Sequence, residues 1–348
     1  MTEVLTIDPL RPDPGAIARA AETLRRGGLV AFPTETVYGL GAHALNQVAV
    51  RRVFEVKQRP SNDPLIVHVT SLAQVTPLAD RIPDVVPRLA ACFWPGPLTV
   101  VVRRSARVPD EVTAALPTVA IRMPAHPIAR ALIDTAAIPV AAPSANLFSR
   151  PSPTRAEHVL ADLGGRIDLV IDGGPTTIGV ESTVLDLSGD TPTILRPGAV
   201  TLDMLREVIP AVTHRTHTTD DPPGALPSPG LLERHYSPRT PLMLYEGQPD
   251  AALAQLAADA RAAISAGKSV GILAADEDPF ALGHVVRVGS AQDAPSVASR
   301  LYAALRELDA LGVDVILARS FPDDSGLGVA IRDRLRRAAA GRVVTVAE

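Results

Sequence analysis

A chain of 348 residues, 46% of them hydrophobic, is long enough for two domains and apolar enough to build cores without staples. Its single cysteine, Cys92, excludes intrachain disulfides and cysteine-rich zinc sites. The formal charge of −4 divides into 20 basic against 21 acidic residues over 1–210 and 14 against 17 over 211–348, so neither part has the basic excess of a dedicated nucleic-acid binder.

The opening MTEVLTIDPLRPDPG has neither the basic nor the apolar region of a signal peptide. No apolar run approaches the roughly 20 residues of a membrane span. A cytoplasmic protein without membrane contact is expected.

Hydrophobic periodicity predicts strands at 28–33, 64–69, 98–103, 118–123, 138–142, 167–172, 183–187 and 193–196. Helices are predicted between them at 14–26, 46–58, 71–79, 84–92, 126–135, 155–163 and 201–208. This interleaving predicts an α/β domain over 1–210, with Ser188-Gly189-Asp190 as a hairpin turn. Directly behind the first apolar run stands PTETVYGLG, 33–41: hydroxyls, a carboxylate and bare backbone where a buried strand ends.

The helix at 46–58 turns Val50, Val53 and Phe54 inward and ends before Pro60, leaving Lys57 and Arg59 at its exit. Of 34 basic residues only Lys57 and Lys268 are lysine. The arginine bias of a GC-rich genome accounts for that, yet it draws attention to the two that remain. Lys57 reads either as a solvated charge or as a site residue.

In LIVHV, 65–69, alternation sets Leu65, Val67 and Val69 on one face and His68 with Ile66 on the other. His68 is either a core histidine satisfied by backbone or part of a site. In VAIRMP, 119–124, Arg122 sits on a strand in apolar surroundings and needs an anionic partner, a protein carboxylate or a substrate carboxylate. Pro143-Ser144-Ala145-Asn146 follows the run IPVAA and offers a hydroxyl, an amide and free backbone N–H groups where that strand stops. Gly173-Gly174 and Gly179 precede VEST, 180–183, at another exit. Strand exits of open α/β sheets are where ligands bind. Hydroxyls and arginines there, without a nucleophile and its base, point to a site that positions an anionic substrate.

The segment 211–240 holds five prolines, at 222, 223, 227, 229 and 238, so it reads as an extended linker. Its LLERHY, 231–236, is too apolar and aromatic for a plain tether. From 241 a smaller α/β domain is predicted, with strands at 241–246, 269–275, 284–288, 313–319 and 342–347 and helices at 249–266, 294–311 and 327–340. The alternation implies a parallel, Rossmann-like sheet. GLGVA at 326–330 lacks the full glycine spacing of a dinucleotide fingerprint, and no GxxxxGK[ST], HExxH, CxxC or GxSxG is present.

PTETVYGLG (33–41), KQRP with PLIVH (57–68), WPGPLT (94–99), AIRMPAHP (120–127), APSAN (142–146) and VESTVLDL with ILRPG (180–198) closely resemble the YrdC-like family. SPGLLERHYSP (228–238) and GLGVAIRDRLRRAA (326–339) resemble the linker and C-terminal domain of its two-domain members, the threonylcarbamoyl-AMP synthases. The resemblance implies a YrdC-like twisted mixed sheet with flanking helices over 1–210, a lid-forming linker, and a small domain over 241–348. It implies synthesis of threonylcarbamoyl-adenylate and pyrophosphate from L-threonine, bicarbonate or CO2, and ATP. A separate transferase would then modify the tRNA adenosine next to the anticodon. By the same resemblance Thr36, His68, Arg122, the Ala142 backbone and Ser182 line the threonine site. Lys57, Arg59, Thr118, Ser144, Asn146, Ser152 and Arg196 surround ATP, with His235 and Tyr236 closing over it. Lys57 and Arg59 are the catalytic candidates, Mg2+ arrives with the nucleotide, and no metal site in the protein is expected. Asp63 departs from the Asn or Lys of relatives, which puts a nucleotide contact there in doubt. The rival readings are an RNA-binding module, which the neutral charge and 3% aromatic content disfavour, and a hydrogenase-maturation carbamoyl transferase, whose cysteine pairs are missing.

Overall fold

The structure, a computed structural model, describes residues 1–215, 226, 235–321 and 326–346. They form two compact units. The first comprises Met1–Phe148, Pro153–Thr177 and the chain from Glu181 onward into the linker. The second comprises Ser149–Ser152, Ile178–Val180 and the described residues from 235 on.

The first unit is built on an eleven-stranded mixed sheet. In spatial order its strands are Glu3–Thr6, Leu169–Asp172, Val30–Pro33, Tyr38–His43, Val140–Ala141, Ile66–His68, Thr118–Arg122, Leu98–Arg103, Thr183–Asp186, Thr193–Arg196 and Thr213–His214. Five neighbour pairs are parallel and five antiparallel. Its main core takes one face of the central strands, where Leu65, Val67, Val69, Val100 and Ile121 pack on the helices Gln47–Lys57 and Val86–Phe93. Phe32, Val140 and Ile171 instead meet the helices Pro14–Arg25 and Pro127–Ala136 in a second cluster.

Local chemistry sets the helix ends near the site. The Asn46 side chain accepts from the Val48 and Ala49 amides, satisfying two of the donors that every helix start leaves bare. Gln58 stops the same helix in a left-handed conformation, φ 55°, so the chain turns away immediately after Lys57. Ser188 folds back on Asp186 through its amide and hydroxyl, closing the hairpin between Thr183–Asp186 and Thr193–Arg196.

The second unit holds a five-stranded, wholly parallel sheet in the order His284–Arg287, Val270–Ala274, Val315–Arg319, Leu242–Glu246, Val343–Thr345. Helices Pro249–Ser265, Ala294–Ala310 and Gly326–Ala339 connect it, the Rossmann-like arrangement expected. Gly326 begins the last of these helices. No helix among the described residues is long and apolar enough to cross a membrane.

Candidate active site

Strand register aligns polar side chains that are far apart in sequence. His68 pairs with Arg122 on the parallel neighbour, Arg122 with Thr99 on the next strand, and Thr99 with Val184 beyond it. Alternation aims His68, Arg122 and Thr99 at the same face of the sheet. Behind them on that face lies a small apolar floor of Ile66, Ala120, Val101, Val184 and Leu195.

Arg122 ends its strand and is buried. Its Nη2 donates to Glu35 Oε1 at 2.5 Å, its Nη1 to Thr36 Oγ1 at 2.9 Å, and its Nε to the Gly96 carbonyl at 3.3 Å. A protein carboxylate is thus a partner of Arg122, and two of its five N–H groups have no acceptor among the described residues. Glu35 uses its other oxygen to accept the Ala125 amide at 3.0 Å.

Glu35 and Thr36 sit in the turn between Val30–Pro33 and Tyr38–His43. Thr34 organises this turn. Its Oγ1 accepts from the Thr36 and Val37 amides and donates to the Val37 carbonyl at 2.6 Å, so the loop's backbone stays satisfied while buried.

His68 is buried, and its Nδ1 has no hydrogen-bond partner among the described residues. Burial first, and the Arg122 cation second, push its pKa down to about 3, against the pull of the Ile66 and Val140 backbone. The ring is neutral near pH 7. His126, whose Nδ1 accepts the Ile128 amide at the start of the next helix, is likewise lowered by burial, opposed by the Glu35 carboxylate.

The row continues through Thr99 Oγ1, 2.8 Å from Ser182 Oγ. Arg196 closes it, giving Nη2 to Ser182 Oγ and Nε to the Ser182 carbonyl, both at 3.1 Å. The chain after Arg196 passes so near this turn that a Cβ on Gly198 would lie 2.4 Å from the Thr183 nitrogen. Only glycine fits that crossing.

On the neighbouring loop, Lys57 is buried at 1% exposure and donates to the carbonyls of Ser144 and Asn146, each at 2.5 Å. Its charge is therefore not a solvated one. Arg59 pairs with Asp63 at 2.9 Å and also donates to the carbonyls of Asp63 and Pro64. Asp63 thus stands as the partner of Arg59.

The expectation of free N–H groups along 143–146 is corrected at Ala145. Ala145 donates to the Tyr38 carbonyl, and Pro143 accepts from Leu40, because this stretch continues the pairing with Tyr38–His43. Ala142 likewise gives its amide to the Ile66 carbonyl at 2.9 Å.

The structure brings Thr36, His68, Arg122, Ser182 and Arg196 into one bonded and register-aligned row, and Lys57, Ser144 and Asn146 into another cluster. Thr118 shares the face of Arg122 but opens the same strand, about 13 Å away at 3.3 Å per residue. Ser152 is buried and belongs to the second unit. So do His235 and Tyr236, whose rings meet edge to face at 4.0 Å. The Tyr236 ring packs on Tyr302 at 5.4 Å and lies under the Arg334 guanidinium at 5.4 Å, inside that unit's core. The part of the expected lid at 228–234 lies outside the described residues.

Sequence reasoning missed Glu35 and Thr99. Glu35 adjoins Thr36, and strand alternation from Val101 aims Thr99 at the polar face, so a signal existed for both.

Residues 22–198 match the family model described as Telomere recombination, which groups Sua5, YciO and YrdC proteins. Residues 200–340 match the model described as Threonylcarbamoyl-AMP synthase, C-terminal domain. The chain is similar to threonylcarbamoyl-AMP synthase of Bacillus subtilis, 45% identical over 340 residues, 97% of this chain and 96% of that one. It is similar to threonylcarbamoyl-AMP synthase of Pyrococcus abyssi, 44% identical over 94% of this chain and 95% of that one. The crystal structure of P. abyssi Sua5 complexed with L-threonine matches with a TM-score of 0.94 and 42% identity, covering 99% of this chain and all of that one.

Proposed function

This chain belongs to the two-domain threonylcarbamoyl-AMP synthase family, and from that premise we propose how its residues make threonylcarbamoyl-adenylate and pyrophosphate from L-threonine, bicarbonate or CO2, and ATP. The observation that carries the assignment is the His68–Arg122–Thr99 row, with two N–H groups of Arg122 and the Nδ1 of His68 still able to bond.

The two remaining N–H groups of Arg122 take the threonine carboxylate, and the planar fork suits that shape. Thr36 and Ser182 fix the amino acid's position, held themselves by Arg122 and by Thr99 with Arg196. The Ala142 amide is taken by Ile66, so its carbonyl is the group offered to the ligand. Neutral His68 accepts a hydrogen bond from threonine at Nδ1. With a pKa of about 3 it is too weak a base to hold a proton taken from the amine. The site works by placement and by charge.

The neutral threonine nitrogen forms a bond to the carbon of CO2 as one C=O electron pair moves onto oxygen, and the nitrogen's proton passes to water, to give a carbamate. A carbamate oxygen then bonds to the α-phosphorus of ATP as the bond to the bridging oxygen of pyrophosphate breaks. Lys57 shapes the loop that presents Ser144 and Asn146 to the nucleotide, and Arg59 does the same for 60–64 through Asp63. Arg196 faces the phosphates from beside Ser182. Thr118, about 13 Å along the strand from Arg122, marks the far reach of an extended nucleotide.

Glu35 and Asp63 are committed to arginines, and the described residues contain no group of three or more His, Cys, Asp or Glu able to hold a metal. The described residues therefore offer no cage for Mg2+. The ion would enter on the ATP phosphates and neutralise charge there. The neutral charge of 1–210 supports no tight hold on nucleic acid, so the labile product passes in the cytoplasm to a separate transferase acting on tRNA.

Pyrophosphate release with each substrate omitted in turn tests this. Release should require all three together. Undiminished release from ATP without threonine would overturn the reaction as written.

A further inference from the structure

Two short stretches from within residues 1–210, Ser149–Ser152 and Ile178–Val180, are members of the second compact unit. The first begins three residues after Asn146. The second ends two residues before Ser182.

Each stretch is held there by several contacts. Arg150 pairs with Asp309 at 3.0 Å, and that carboxylate is 5% exposed. Arg306 donates to the Pro151 carbonyl at 2.5 Å. The Ser237 amide donates to the Ser149 carbonyl at 2.6 Å, and Ser149 is fixed at φ 64°, a left-handed conformation that a serine keeps only when its surroundings impose it. At the second stretch Gly179, φ 82°, lies directly on the helix Ala294–Ala310. A Cβ there would stand 2.3 Å from the Ala298 carbonyl oxygen and 2.5 Å from Ser299 Cα. Both clashes are with backbone, so no side chain can swing aside to relieve them. Asp309, Arg306, Ala298 and Ser299 all belong to this one helix.

We propose that the helix Ala294–Ala310 is a positioning element for catalysis: through Arg150, Arg306 and Asp309 it sets the chain that carries Asn146 on the ATP side, and through Gly179 the chain that carries Ser182 on the threonine side. The second domain thereby contributes to the reaction through the chain segments it holds. This rests on the substrate assignments proposed for Asn146 and Ser182. The arrangement makes a divided prediction. Loosening the first anchor acts on ATP, and loosening the second acts on threonine. A general loss of stability would lower the active fraction and leave both KM values where they were.

The test uses the full chain. Arg150→Ala should raise the KM for ATP roughly 10-fold, as a shift of about 1 Å in a positioned group can do, with the threonine KM within about two-fold. Arg150→Lys, which keeps the charge, should recover most of the loss. Gly179→Ala should raise the KM for threonine and spare that for ATP. If Gly179→Ala does not fold, Arg306→Ala, expected to repeat the Arg150→Ala pattern, carries the decision. Asn146→Ala and Ser182→Ala are measured alongside as tests of the substrate assignments themselves. Direct variants that raise their respective KM beside anchor variants that raise neither overturn the positioning role and leave the assignments standing. Anchor variants that raise a KM while the direct variants do not support the positioning role and overturn the assignments. Equal effects of Arg150→Ala and Arg150→Lys would also overturn it.

Discussion

Removing Arg122 does two things at once, and they can be separated. Glu35 is 7% exposed and bonded to Arg122 at 2.5 Å, so Arg122→Ala leaves a buried carboxylate still accepting from the Ala125 amide. Breaking one side of a buried pair costs about 3–5 kcal/mol of stability. Losing a charge-assisted bond to the threonine carboxylate costs about 1.5–3 kcal/mol of binding, roughly 10- to 150-fold in affinity. In the double variant Arg122→Ala/Glu35→Ala no carboxylate is stranded. Some loss persists because the Ala125 amide has no acceptor, a matter of about 1–3 kcal/mol. The double variant should therefore recover about 2 kcal/mol relative to Arg122→Ala, within the range of couplings between touching residues. Threonine affinity should not recover, since the fork is still missing. Chemical denaturation gives the first quantity, and calorimetric titration with threonine and separately with ATP gives the second. Restored threonine affinity in the double variant, or equal losses for threonine and ATP in the single one, would refute the assignment.

His68 carries a pH signature. Its folded pKa of about 3 lies below the ordinary value of 6.5, so the stability this creates is fully present above pH 6.5 and is lost as pH falls toward 3, because the unfolded chain takes up a proton the folded one refuses. His68→Gln should remove up to about 1.4 kcal/mol per pH unit from the acid slope between those limits, and superimposable denaturation slopes for wild type and variant would contradict it. Lys57→Arg should lower turnover although it keeps the charge, because a planar fork cannot place its donors where one buried ammonium reaches both Ser144 and Asn146; steady-state pyrophosphate release checks this, and an unchanged kcat would show that the exact donor position is irrelevant. Gly198→Ala should cost about 1–3 kcal/mol as an overpacked contact and raise the KM for threonine by shifting Ser182, so a melt and a KM at wild-type values would exclude the close crossing as a constraint.

Much of the fold was legible because its strands carry uninterrupted apolar runs with sharp punctuation. Leu98–Arg103 and Thr193–Arg196 coincide with their predicted bounds for that reason. Tyr38–His43 was not anticipated as a strand. Two glycines in six residues argue against one, and here pairing on both sides overrides propensity. Gly41 is even required, since a Cβ there would come within 2.7 Å of the Phe32 ring. The edge strands Glu3–Thr6 and Thr213–His214 were missed because each is short and neither presents a clear apolar run. At the site, the sequence exposed the residue types, and the resemblance implied roles for them. It could not expose who stands beside whom. That His68, Arg122 and Thr99 share one level follows from a strand order that departs from chain order, with Leu98–Arg103 lying outside Thr118–Arg122 and antiparallel to it.

That juxtaposition also explains how so polar a site can be buried before any substrate arrives. A lone buried guanidinium would be prohibitive; Arg122 has the Glu35 carboxylate and Arg59 has Asp63, while Arg196 is held by the hydroxyl and carbonyl of Ser182. Those two pairs leave little net charge of their own, so the turn and the loop that carry them assemble without stranding an ion. What remains able to bond is directional and not merely charged: two N–H groups of a fixed fork, and one lone pair on a ring kept neutral by its surroundings. Groups set in place before the reaction need no reorganisation during it. For a carbamate and a mixed anhydride, both easily lost to water, fast and well-placed transfer matters more than an added nucleophile.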